Sequence, residues 1–325
     1  MSPPVAVSFG IAVPQDVREG REPLPDVARF ARAAERLGYD GLWTLDRIQG
    51  HQPVLEPLVL LTAAAAVTRR IRLGVAVIIL PLRSPVELAR TTASLDRISG
   101  GRLDLGVGLG VDRERVGAVG LDPARRAARM SDSIAVIRGL WTGERTSVDG
   151  ATLSIRDWMI RPTPVQRPGP PIWFGGHHPD ALRRAVALGD GWLGAGSVSM
   201  EDFGREIAFV REELARAGRP EAGFGLGKRL YLALDDRRGS RGPALRSWLA
   251  DHYRDPQKAE KVAAMGPASA IVEAALQIVD LGGRLVIFHP VTDEERQMRE
   301  IAAEVLPAIR AALAVRGSAD DGGPR

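Results

Sequence analysis

The stretch RLDLGVGLGVDRE, residues 102–114, decides how the rest of the chain is read. Three glycines alternate at 106, 108 and 110 behind an apolar run, the spacing with which a dinucleotide-binding loop begins. The fingerprint G-x-G-x-x-G needs a third glycine at 111 or 113, and those positions hold Val111 and Arg113. It also belongs to the first strand of its domain, whereas strand and helix patterns fill the chain ahead of residue 102. The glycines therefore serve a different architecture.

Outward from that stretch, apolar β-branched runs alternate with amphipathic helical ones, the pattern of βα units on a parallel sheet. The expected strands are 5–13, 41–46, 71–79, the opening stretch, 171–176, 191–196, 224–234 and 284–290. Between them the 3.6-residue spacing of apolar side chains predicts helices over 26–38, 55–68, 85–99, 124–141, 179–188 and 201–217. Ser84 and Pro85 supply an N-cap and a first helical residue for the third of these. Eight strands, each followed by a helix, fit an α/β TIM-type (β/α)8 barrel better than an open doubly wound sheet. One barrel domain is expected over 1–316, with a hairpin and proline-rich insertion at about 142–171 around an Asp149-Gly150 turn. A long helical region is expected at about 244–281, and residues 317–325 read as a disordered tail. Gly106, Gly108 and Gly110 then fall on the fourth strand and its exit, where absent side chains would let a flat ligand approach the backbone.

Composition narrows the chemistry. The 325 residues contain no cysteine, which excludes a disulfide framework and thiolate chemistry, and five scattered histidines form no zinc motif. The net charge is +4, with arginine pairs dispersed among acids on expected helices, so nucleic acid is not an expected partner. No apolar run reaches the length of a membrane helix. The first residues lack a basic region ahead of their apolar stretch, and a cytoplasmic location is expected.

In a barrel, chemistry gathers at the C-terminal ends of the strands. Asp46, Arg47 and His51 follow strand two, Asp112, Arg113 and Glu114 strand four, and His177 and His178 strand five; His289 ends strand eight. FGGHHPDALRR (174–184) is the best anion site, because Gly175 and Gly176 lead into a helix whose free N–H groups favour a phosphate. Trp43, Trp173 and Trp192 lie inside strands and read as barrel core or wall.

Three collinear segments carry a family pattern: GYDGLWTLDR (38–47), IRLGVAVIILPLRSPVELARTTASLDRISGGRLDLGVGLG (71–110) and PPIWFGGHHPDALRRAVALGDGWLGAG (170–196). Together they resemble the bacterial luciferase-like monooxygenase superfamily, especially its branch of coenzyme F420-dependent oxidoreductases. The resemblance implies a deazaflavin ring across the barrel mouth, with FMN as the alternative cofactor. It implies a non-proline cis peptide at Ala76 and Val77 against the ring, and Gly108, Gly110 and Asp112 beside the ring and its ribityl chain. It also sets Gly175, Gly176 and His177 against the phosphate. A small-molecule substrate, a homodimer and a separate reductase that supplies reduced cofactor are further implications.

The second-strand motif of the better-known deazaflavin dehydrogenases ends in Asp-His and the fourth in Gly-x-Gly-Glu. Here Asp46 is kept while Arg47 and Val111 replace the other two. A deazaflavin passes hydride and reacts poorly with oxygen, so the chain is expected to reduce a carbonyl, imine or activated alkene. Arg47, held by Asp46 in a bidentate pair, would stabilise the developing negative charge, while Asp46, Asp112 or His177 handles the proton. An FMN-dependent monooxygenase and a non-catalytic flavin-binding barrel are the competing readings.

Overall fold

Strands buried on both faces need near-continuous apolar runs, and those runs close into a ring. The computed structural model describes residues 7–17, 23–47, 54–110, 113–235 and 237–320. In chain order the strands are β1 (Ser8–Ala12), β2 (Gly41–Thr44), β3 (Arg72–Ile79), β4 (Leu103–Gly108), β5 (Thr146–Asp149), β6 (Ser154–Trp158), β7 (Ile172–Gly175), β8 (Gly191–Gly194), β9 (Gly225–Leu234), β10 (Ala263–Gly266) and β11 (Leu285–Pro290). The parallel order β9-β11-β1-β2-β3-β4-β7-β8 closes on itself through β8 and β9, so eight strands form the expected barrel. This ring sets β9 and β11 across the barrel from β3 and β4.

The local signals act as read. Ser84 caps helix Pro85–Ser99 by accepting from the Glu87 N–H, and Gly100 ends it in the left-handed region. Helix Pro179–Leu188 has the expected bounds, and β5 and β6 form the expected hairpin, with Asp132 accepting from Thr152 at 2.6 Å to fix its turn.

Two readings need correction. The region expected to be helical over 244–281 contains β10, which pairs with the outer half of β9 beyond the end of β8. Its sequence AAMG lacks any period, and only the long free edge of β9 makes it a strand. The closing helix Leu306–Asp320 continues through 317–320, where a disordered tail was expected; 321–325 lie outside the described residues.

Tryptophans fill the barrel interior. Trp43 and Trp173 meet edge to face at 6.4 Å within a cluster that includes Leu193, Leu285 and Ile287. The strands around them have no side chain to spare: a Cβ on Gly10 or Gly74 would strike the Trp43 indole. Arg72 closes the lower end with a two-pronged contact to Asp104, at 2.6 and 2.9 Å, and Asp104 also accepts from the Trp173 indole.

The alternating glycines of β4 answer to this packing. The Ala76–Val77 peptide is cis, as the resemblance implied, and the register between β3 and β4 slips between Val75 and Ile78. A Cβ at Gly106 would fall on the Val75 carbonyl oxygen, one at Gly108 within 2.6 Å of Val77, and one at Gly110 within 2.8 Å of Ile79. The space expected to admit a flat ligand is thus occupied by the bulge of β3, because two strands this close leave no room for a side chain. Gly106→Ala should destabilise the protein more than Gly108→Ala, since the first overlaps backbone and the second the tip of a side chain. About 1–3 kcal/mol is expected for Gly108→Ala by urea unfolding, and equal losses would contradict this account.

Candidate active site

The exits of the barrel strands bring together residues far apart in the chain. At the end of β2 the Asp46 carboxylate, 2% exposed, accepts from the Ile79 N–H at 2.9 Å and from Arg83 at 2.8 Å. Arg83 also reaches Glu56 at 3.1 Å. Asp46 therefore ties β2 to the exit of β3. The expected bidentate partner, Arg47, is not on this carboxylate; Arg83 has taken that place because the turn after β3 carries it there.

Arg47 turns instead to helix Arg241–Tyr253. Its guanidinium lies 5.6 Å from the Trp248 ring centroid, and Nη2 is 3.3 Å from His252 Nδ1. A guanidinium only donates, so Nδ1 must accept and the imidazole proton sits on Nε2. The His252 ring stacks on Trp248 at 4.5 Å and 12°. Desolvation among these neighbours, then the charges of Arg47 and Arg229, pushes His252 down to about 4.

His289 ends β11 opposite Tyr231 of β9, their rings 5.0 Å apart. It is buried, and its Nδ1 has no partner among the described residues. Burial, with Arg229, His252 and Arg47 adding to it, holds this imidazole well below its usual range. The Tyr231 and Tyr253 hydroxyls meet at 2.9 Å. Burial raises Tyr231, which keeps its proton. Arg229 spans the barrel, donating to the Ala76 carbonyl of the bulge at 3.3 Å. Beside the C-terminal end of β8, the buried Lys228 holds the exit loop by donating to the Ala195 and Val198 carbonyls at 3.1 and 2.8 Å.

Other expected residues fall as follows. Ala76 and Val77 form the bulge, and Val77 packs against Gly108 and Gly175 at the mouth. Gly175, Gly176 and His177 leave β7 at the start of helix Pro179–Leu188; Gly176 has φ 138°, and its carbonyl accepts from the Trp192 indole at 2.8 Å. His177 is exposed, and His178 caps the helix through its ring. Asp112 and His51 lie outside the described residues.

The reading from sequence left out Arg229, Tyr231, Trp248, His252 and Tyr253. A signal existed: Trp248 and His252 are four apart on one helix face, and Arg229 and Tyr231 alternate on one strand face. What it lacked was the knowledge that this helix lies over the mouth. Arg241, 1% exposed, anchors the helix to Asp293 at 3.3 Å and to Glu300.

A closed parallel barrel with a bulged third strand and a mouth of cations and aromatic rings defines a TIM-type barrel of the bacterial luciferase kind. The chain belongs to the luciferase-like monooxygenase family, whose model matches residues 5–278. Over 321 residues it is 30% identical to a protein named F420-dependent glucose-6-phosphate dehydrogenase from Beutenbergia cavernae, covering 88% of this chain and 94% of that one. Among solved structures, monooxygenase RslO1 from Streptomyces bottropensis superposes with a TM-score of 0.79 at 23% identity, covering 93% of this chain and 99% of that one. Coenzyme F420 dependent tetrahydromethanopterin reductase from Methanopyrus kandleri does so at 0.77 and 20%, covering 94% and 99%. At such identities the structural likeness speaks for the fold.

Asp46 and Arg47, neighbours in sequence, should separate by function. Asp46→Ala leaves Arg83 and a backbone N–H without their buried acceptor and should cost about 3 kcal/mol. Arg47→Ala should cost less than about 1 kcal/mol. Thermal and urea unfolding of the two variants read this difference, and equal destabilisation would refute the assignment of Asp46 as the clamp.

Proposed function

We propose that this protein is an oxidoreductase that binds coenzyme F420 at the barrel mouth and reduces a carbonyl, imine or activated alkene of a small organic substrate. The observation that carries the reading is the charge at the mouth: Arg47 and Arg229 sit among imidazoles held neutral, while the retained acid Asp46 is committed to Ile79 and Arg83. Reduction by hydride leaves negative charge on the substrate, and such a mouth stabilises it. The relative from Beutenbergia, matched along nearly its whole length, supports the choice of cofactor.

The residues present fit a flat ring with a phosphate tail. Val77, set on its bulge between Gly108 and Gly175, offers an apolar platform at the mouth, and buried polar atoms without partners in the described residues, His289 Nδ1 and Arg229 Nε, lie across from it. Gly176 and His177 would hold the phosphate through their N–H groups at the positive end of helix Pro179–Leu188. When bound, F420 supplies the hydride. Arg47 holds the developing charge, and the Tyr231 and Tyr253 hydroxyl pair keeps protons at the same wall. A homodimer, and a separate reductase that reloads the cofactor, belong to the same proposal.

Two measurements test the reading. Purified protein titrated with F420 and FMN, each oxidised and reduced, should bind F420 more tightly; preference for reduced FMN with oxygen consumption would make it a monooxygenase instead. His177→Glu sets a charge beside the phosphate at an exposed position and should weaken F420 about tenfold, or ~1.4 kcal/mol, without loss of stability. Gly176→Leu would not serve, since a Cβ there lies 2.8 Å from Ala181 at a φ that side chains avoid. Once a substrate is known, Arg47→Ala should slow single-turnover oxidation of reduced F420 by about 10²–10³, the usual effect of removing one charge-stabilising donor.

A further inference from the structure

Beside the mouth a cavity of about 40 Å³ lies among the exits of β1, β2 and β11, bounded by Gln15, Asp16, Arg47, Trp248, His289 and Glu294. It has room for a functional group or a water or two, not for a whole substrate. Gln15 cannot serve a ligand there, because its amide already donates to the Leu45 and Leu55 carbonyls and accepts from the Leu45 N–H. His289 is different. It is only 8% exposed, lines the cavity, and keeps a buried Nδ1 without a partner among the described residues. An unsatisfied buried nitrogen costs on the order of 1–3 kcal/mol, a cost that a bound polar group removes.

We infer that His289 is a catalytic residue whose imidazole hydrogen-bonds the reacting oxygen of a carbonyl substrate seated between Trp248 and the bulge of β3. This rests on the reductase reading above and names the atom to which the mouth is addressed. Burial keeps the ring uncharged, with the charge of Arg229 of β9, then His252 of the covering helix and Arg47 beyond the end of β2, adding to it, and Tyr231 packs on it. Asp16 and Glu294 are the carboxylates that line the same cavity. A neutral imidazole donates a hydrogen bond to a carbonyl without transferring its proton, and so polarises it. Reduced F420, when bound, would supply the hydride for the new C–H bond and be left oxidised, while the C=O π pair moves to oxygen. Arg47 and His289 would hold that oxygen until it takes one proton from water, which leaves as hydroxide.

The test uses the full chain labelled with ¹⁵N-histidine, titrated with cyclohexanone and, separately, with acetate, with and without bound F420. The His289 resonances, assigned by their loss in His289→Phe, should move saturably with the ketone and remain those of a neutral ring. His289→Phe keeps the ring packing on Tyr231 and removes both nitrogens, so ketone affinity should fall about tenfold, or ~1.4 kcal/mol. If the variant does not fold, the resonances are assigned from ¹³C/¹⁵N-labelled wild type and the titration stands alone. A response to acetate in place of the ketone, or none to the ketone with F420 bound, would overturn the assignment. If F420 fails to bind, the reading of the cofactor fails, while a ketone response of the free protein still supports the role of His289.

Discussion

The close approach of β3 to β4 is the constraint on which the mouth of this barrel depends. Val75 sends its carbonyl into the space of a missing side chain at Gly106, and the chain then bulges so that Val77 stands over Gly108 and Gly175. Any side chain larger than hydrogen at these positions would push the strands apart and flatten the bulge. Across the barrel, Arg229 donates to the Ala76 carbonyl and so supports the bulge from the far wall. Platform and cation are thereby placed by one arrangement.

The charges at the mouth divide their work by burial. Asp46 is enclosed and fully engaged, so its contribution is to hold β2 against β3. Arg47, next in sequence, turns away from that carboxylate and meets the indole and imidazole of the covering helix. Burial, and after it the nearby guanidinium groups of Arg47 and Arg229, favours the neutral form of both imidazoles, because a further positive charge would be desolvated and also repelled. The result is a mouth that is positive at its arginines and hydrogen-bonding at its histidines, suited to charge that appears on oxygen. Arg241 preserves this by pinning the helix to the loop and helix that follow β11.

Much of the scaffold was legible in the chain. The Ser84-Pro85 cap and the bounds of helix 179–188 act within a few residues and hold in the structure, and the hairpin holds as well, though Asp149 pairs with Ser154 inside the ladder and the tip falls at Ala151 and Thr152. β10 was not legible, because AAMG becomes a strand only when an edge of β9 is offered to it. The glycines at 106, 108 and 110 were recognised as places of close approach, but the approaching group proved to be the neighbouring strand.

The sequence by itself determined the barrel, the order of its units and the face on which the polar residues gather. Periodicity, caps and turns are local, and eight repeats of them leave few ways to close a sheet. Tertiary structure decided the partners. Arg83 displaced Arg47 on Asp46, and His252, 205 residues from Arg47 in the chain, became its neighbour. Distances between side chains on different strands follow from how the ring closes and which helix lies across it, and no local pattern records either.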